Sequence, residues 1–197
     1  MYEITKAEMQ LILALVKSPE MNYNSNSITK AVDITPMGAL KILKRLEKES
    51  ILKSKKIGKA IIYRINTEEN YARNHVAFIL AREKAYAQPR VKVWINELRK
   101  IKNADLIILF GSVLRKEDPN DIDVLFVTDQ KMFKKLQEEI DALNKLNMKQ
   151  IHPLYQGFAD IIMNIKKRDK PVLNAIKGII VTGEERFVEV YHESCKE

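Results

Sequence analysis

The chain has 197 residues, 46% of them apolar, with one cysteine and a net charge of +8. That length suits one large domain or two small ones, and that composition excludes wholesale disorder. The lone Cys195 cannot form an internal disulfide, the N-terminus lacks a basic-then-apolar leader, and no apolar run approaches the roughly 18 residues that span a bilayer, so the expected setting is the cytoplasm with no membrane partner.

The charge is uneven. Residues 1–66 carry net +6, residues 67–100 net +3 and residues 101–197 net −1. A basic half on an otherwise neutral chain points to a polyanion partner at that end. A basic surface kept for solubility would account for the charge alone equally well.

Thr5 and Glu8 form a capping-box pair, with Thr5 capping a free helix N–H and Glu8 reaching back. Met9, Ile12, Leu13 and Val16 follow at helical spacing, and Ser18-Pro19 ends the helix. A short second helix is expected over 27–32. Thr35-Pro36 restarts the chain as a third helix, an N-cap followed by proline at the first helical position. Leu40, Leu43 and Leu46 share one face of it, and Lys41, Lys44, Arg45 and Lys48 lie mostly elsewhere. Two short apolar runs, 51–52 and 60–65, flank the basic stretch 53–59, which reads as a hairpin with Gly58 in the turn.

Residues 66–69 cap a long helical stretch to about Gln88, where Pro89 interrupts it. Val91, Trp94, Leu98 and Ile101 then mark another helix. Residues 106–110 and 122–127 read as buried strands. Asp129 caps a helix expected to turn Met132, Leu136, Ile140, Leu143 and Leu146 inward. A third strand is expected over 148–154, helices near 158–165 and 171–177, and a short strand over 179–182 before Gly183. The fold class is mixed α/β (α+β).

Three helices, the third opened by Thr-Pro, then a basic hairpin, is the order of a winged helix-turn-helix. A helix with an inward leucine face and an outward basic face fits a major groove about 12 Å wide. Its first turn, Thr35, Met37, Gly38 and Lys41, would meet bases; Lys44, Arg45, Lys53, Lys55, Lys56 and Lys59 would meet phosphates of double-stranded DNA. The segment 27–65 resembles the winged-helix modules of archaeal and bacterial transcriptional regulators, above all from Ala39 through Leu52. Such modules often have a glycine before the first wing strand; Ser50 stands there here. The family also includes modules that dock proteins instead of DNA.

Asp121 and Asp123, two apart at the start of an apolar run, share one face of a strand. Adjacent carboxylates repel, and a divalent cation with a taste for hard oxygen ligands, Mg²⁺ or Mn²⁺, balances them naturally. Gly111-Ser112 directly follows the preceding strand, where a glycine backbone can approach a phosphate and the serine can donate to it. Leu109-Phe110-Gly111-Ser112 followed after eight residues by Asp121-Ile122-Asp123-Val124-Leu125-Phe126-Val127 resembles the signature of the DNA polymerase β nucleotidyltransferase superfamily, most closely its minimal members. The eight-residue spacing is somewhat short for that family.

The resemblance implies three domains: a winged-helix DNA-binding domain over 1–66, a helical connector over 67–102 and a nucleotidyltransferase-like domain over 103–197. It implies that Gly111, Ser112 and Arg115 hold the phosphates of a nucleoside triphosphate, and that Asp121 and Asp123 hold the metal and serve catalysis. Transfer of a nucleoside monophosphate to an acceptor hydroxyl would follow. Active members add a third carboxylate from a later strand. The strand at 148–154 has none; Gln150 or His152 stands in that neighbourhood, with His152 read as a surface histidine beside Pro153, and Asp160 falls on the next helix. A non-catalytic regulator that senses nucleotide, or an antitoxin paired with an all-helical toxin, is the alternative. The helical stretch from Thr67 to Gln88 is long enough to pack against its twin in a homodimer.

Overall fold

The computed structural model describes residues 4–196. The chain is mixed α+β and divides into two units, Met1–Ile79 and Leu80–Glu197, with the division inside a helix.

In the first unit, helix α1 spans Lys6–Val16, and the Thr5 side chain accepts the Glu8 N–H at 3.2 Å. The Glu8 carboxylate is fully buried, and its Oε2 accepts from Arg45 Nη2 at 2.8 Å. Residues Ser27–Lys30 form a 3-10 turn instead of the expected α-helix. The Asn24 side chain accounts for this, because its Oδ1 takes the Asn26 and Ser27 N–H groups at 2.9 and 2.8 Å and offers the backbone an alternative to helix. Helix α2 spans Pro36–Lys48, with Thr35 Oγ1 accepting from the Gly38 N–H at 3.2 Å. Ala39, Leu43 and Leu46 are buried, and Leu40 is half-buried beside them. Strands β1 (Leu52–Ile57) and β2 (Ala60–Ile65) form an antiparallel hairpin that closes at Gly58, whose φ is +59°. Ser50 has a φ of +59°, so the serine itself takes the left-handed conformation for which glycine is better suited. Tyr23 adds an isolated bridge to Tyr63 beside the hairpin.

Helix α3 spans Asn70–Ala85 and carries the division between the units. In the second unit, Pro89 is the first residue of α4 (Pro89–Leu98), where its missing N–H costs nothing. A four-stranded sheet follows in the order β5-β4-β3-β6, built from β3 (Leu106–Leu109), β4 (Ile122–Val127), β5 (Ile151–Gln156) and β6 (Ile179–Thr182). β3 pairs antiparallel with β4 and β6, whereas β4 and β5 run parallel. Between β4 and β5 lies α5 (Phe133–Leu146), preceded by a 3-10 turn that Asp129 caps by accepting the Lys131 N–H at 2.9 Å. After β5 come α6 (Phe158–Lys166) and α7 (Lys170–Ala175), and after β6 comes α8 (Glu184–Ser194).

One core joins Val91, Ile95 and Leu98 of α4 with Leu136, Ile140 and Leu143 of α5 and the alternate strand residues Ile107, Leu109, Val124 and Phe126. Leu146, expected inward, is 80% exposed, because α5 ends there and the Asn147 side chain bonds back to the Leu143 carbonyl at 2.9 Å. Met132, expected inward, is half-buried. β5 begins three residues later than the expected strand. It lies at the sheet edge, where the outward Ile151 N–H donates to Asn144 Oδ1 at 2.8 Å and Pro153 has no N–H to donate.

Candidate functional site

β3 and β4 place the glycine-serine turn against the aspartate pair. Phe110, just past β3, donates its N–H to the Asp123 carbonyl at 3.0 Å. Gly111 follows with a φ of +79°, a conformation that disfavours any side chain. A Cβ on Gly111 would fall inside the Asp123 carboxylate, so the bare Cα and Asp123 Oδ2 are in direct contact. Residues Gly111–Leu114 then make a 3-10 turn, whose Ser112 carbonyl accepts the Arg115 and Lys116 N–H groups at 3.0 and 2.8 Å. Arg115 and Lys116 are exposed on the turn, which returns to β4 over a buried Pro119. Lys149, ahead of β5, pairs with Asp118 of this loop at 2.6 Å.

The parallel β4–β5 ladder makes His152 the direct partner of Asp123. Its Nδ1 lies 3.7 Å from Asp123 Oδ1, with the imidazole 76% exposed and the Asp123 side chain 26% exposed. One ligand atom from each of Asp121, Asp123 and His152 lies within 4.8 Å of the others. His152 is thus a surface residue, as the sequence reading has it, but a surface residue beside the carboxylates. Only the strand register reveals this. Two carboxylates and an imidazole are donors suited to a divalent cation. Asp160 is not part of the cluster. Its carboxylate accepts the Gly157 N–H at 3.2 Å at the start of α6, beyond the far end of β5 from His152.

In the first unit, Met37, Lys41, Lys44 and Lys48 are exposed along one stripe of α2, at spacings of four, three and four residues. Thr35 is exposed at the head of this helix, and Gly38 is half-buried. Arg45 lies off that stripe, turned to Glu8, with Glu49 at 4.0 Å on its own helix. Lys55, Lys56 and Lys59 are exposed on the hairpin, with Lys55 and Lys56 on opposite faces of β1. Lys53 pairs with Glu68 at 2.7 Å. The lysine stripe and the hairpin lysines are therefore presented to solvent, whereas Arg45 and Lys53 have intramolecular carboxylate partners. No helix of the described residues is long and apolar enough to cross a membrane.

Comparison of the chain with protein-family models, with curated proteins and with solved structures finds no match.

Proposed function

We propose that this is a cytoplasmic DNA-binding protein whose second unit holds a nucleoside triphosphate through a divalent ion. Asp121 and Asp123 hold the ion, and Gly111, Ser112 and Arg115 face the phosphates. The observation that carries this reading is the contact between Gly111 and the Asp123 carboxylate, which leaves no room for a side chain between a phosphate turn and a metal pair. When bound, the ion offsets the phosphate charge and polarises the phosphorus–oxygen bonds. The chain's own contribution is positioning. The Phe110 N–H fixes the Asp123 backbone, and the 3-10 turn holds Arg115 and Lys116 on the solvent side of the site, where cationic side chains attract a triphosphate.

Transfer of a nucleoside monophosphate to a hydroxyl needs further help in removing the acceptor's proton, typically worth about 10²- to 10⁴-fold in rate. A third carboxylate would give that help, but His152 stands across the ladder from Asp123, and Asp160 lies beyond the far end of β5. This favours a nucleotide-sensing regulator or antitoxin with slow or absent transfer over a fast enzyme. The double variant Asp121→Asn with Asp123→Asn keeps the shape and removes the charge. Calorimetric titration with ATP is expected to show ion-dependent binding in the wild type and none in the variant. Wild-type protein that binds none of the four common ribonucleotides in an ion-dependent way would sink the reading.

For the first unit, the α2 stripe and the hairpin lysines support binding to double-stranded DNA. If about five phosphates are neutralised, log K should fall with log salt at a slope of about −4.5. Replacing Lys55, Lys56 and Lys59 together by alanine should flatten that slope by up to about 2.7. Fluorescence anisotropy across a salt series reads both values, and an unchanged slope in the triple variant would remove the hairpin from the DNA surface.

A further inference from the structure

We propose that His152 is a third protein ligand to the ion held by Asp121 and Asp123, and that it turns the site from Mg²⁺ toward a later transition-metal ion such as Co²⁺. The proposal rests on the reading of the aspartate pair as an ion site and adds the identity of the ion.

The proximity is set by backbone, not by a chance rotamer. Asp123 and His152 are direct partners in a parallel ladder, so their side chains leave the sheet on the same face. The start of β5 is pinned on both sides: the Ile122 N–H donates to the Gln150 carbonyl at 3.0 Å, and Asn144 Oδ1 takes the Ile151 N–H at 2.8 Å. Pro153 confines the backbone of the residue before it, His152, to extended conformations. The imidazole is therefore anchored at its root and free to turn at its tip, being 76% exposed.

The distances suit an ion that has yet to draw its ligands in. Bonds of about 2.1 Å around a divalent ion put neighbouring ligand atoms about 3.0–3.4 Å apart. Here Nδ1 and Oδ1 stand 3.7 Å apart, and the three ligand atoms lie within 4.8 Å of one another. Closing that difference takes a shift on the order of 1 Å, within reach of a side-chain rotation. Gly111 leaves Asp123 its room, since any Cβ there would occupy the carboxylate's place.

The choice of ion follows from the donor set. Mg²⁺ seeks oxygen ligands and gives up water reluctantly. Imidazole nitrogen suits the later divalent metals, whose affinities for such sites rise along the first transition row. Two carboxylates with one imidazole thus form a mixed site in which the nitrogen adds selectivity that a third carboxylate would not.

Co²⁺ is the probe, because its visible absorption reports nitrogen ligation directly. The full-length chain is titrated with Co²⁺ alone and with Mg²⁺ alone, followed by absorption and calorimetry. Wild type is expected to bind Co²⁺ at least about tenfold more tightly than Mg²⁺. Loss of a residue that merely orients a ligand commonly costs about 10- to 100-fold in affinity, so His152→Ala should weaken Co²⁺ by at least about tenfold and change its spectrum. The same change should leave Mg²⁺ nearly unaffected. His152→Asp should move the preference toward Mg²⁺, a gain that a structural role would not produce. Equal Co²⁺ affinity and spectrum in wild type and His152→Ala would overturn the proposal and leave the aspartate-pair reading intact. Wild-type protein that takes up neither ion, with or without ATP, would overturn both.

Discussion

Gly111→Ala is expected to abolish ion-dependent nucleotide binding and to destabilise the second unit by about 3 kcal/mol. Two effects add. A non-glycine residue held at a left-handed φ costs roughly 1–2 kcal/mol, and forcing a group into filled space costs about 1–3 kcal/mol more. At Gly111, with φ at +79°, the filled space is the Asp123 carboxylate itself, so relief of the clash has to move a residue of the proposed ion site. Gly58→Ala is the matched control. Gly58 has a φ of +59°, but an added Cβ there would meet nothing within 4 Å, so only the conformational part of about 1 kcal/mol should be lost. Denaturant unfolding of both variants separates strain from collision, and calorimetry with ATP reads the site. Wild-type nucleotide affinity in Gly111→Ala would mean that the glycine–aspartate contact has no part in the pocket.

Arg45→Met is expected to cost the first unit about 3–5 kcal/mol, the usual penalty for stranding a buried charge. Glu8 is fully buried, with Arg45 Nη2 at 2.8 Å from its Oε2. His75 Nε2 lies 3.9 Å from Oε1, but burial pushes the His75 imidazole below its ordinary pKa. The Arg45 charge lowers it further, against an opposing pull from Glu49. His75 is therefore held toward its neutral form, and among the described residues the guanidinium lies at hydrogen-bonding distance from the Glu8 carboxylate. Glu8→Leu combined with Arg45→Met should recover most of the loss, since removing both charges also removes their desolvation cost. Hydrogen exchange across Lys6–Val16 and Pro36–Lys48 localises the effect. A loss below about 1 kcal/mol in the single variant would show that the pair behaves like an ordinary surface bridge.

Local signals made much of this chain legible. Thr5, Thr35-Pro36 and Asp129 each mark a helix start through a capping side chain, and the structure has helical turns beginning at each. Gly58 and the strands 106–109, 122–127 and 179–182 were readable from turn chemistry and apolar runs. For Arg45 and His152 a distant partner decided the outcome. Arg45 reads as one more cation on a basic helix, but a buried carboxylate on α1 claims it. Leu146 keeps the apolar rhythm of α5, but the core ends one turn earlier, at Leu143. Helix α8 follows Gly183, whose φ of +86° reorients the chain after β6, and its buried Phe187 and Tyr191 sit among charges that hide the pattern. In the site, Asp121, Asp123 and Gly111-Ser112 were visible as motifs. His152 was not assigned to them, because a parallel pairing between strands separated by a whole helix sets its place.

The capped start of β5 has a bearing on how this chain behaves at high concentration. An edge strand recruits another through the N–H and C=O groups that point away from its own sheet, which in β5 are those of alternate residues. The Ile151 donor is occupied by Asn144, and Pro153 supplies none. A passing strand, whether from an unfolded neighbour or a second folded copy, would find two successive ladder rungs missing. Side-by-side sheet extension, the opening step of cross-β aggregation, is thereby blocked along this margin, beside the strand that carries Asp123.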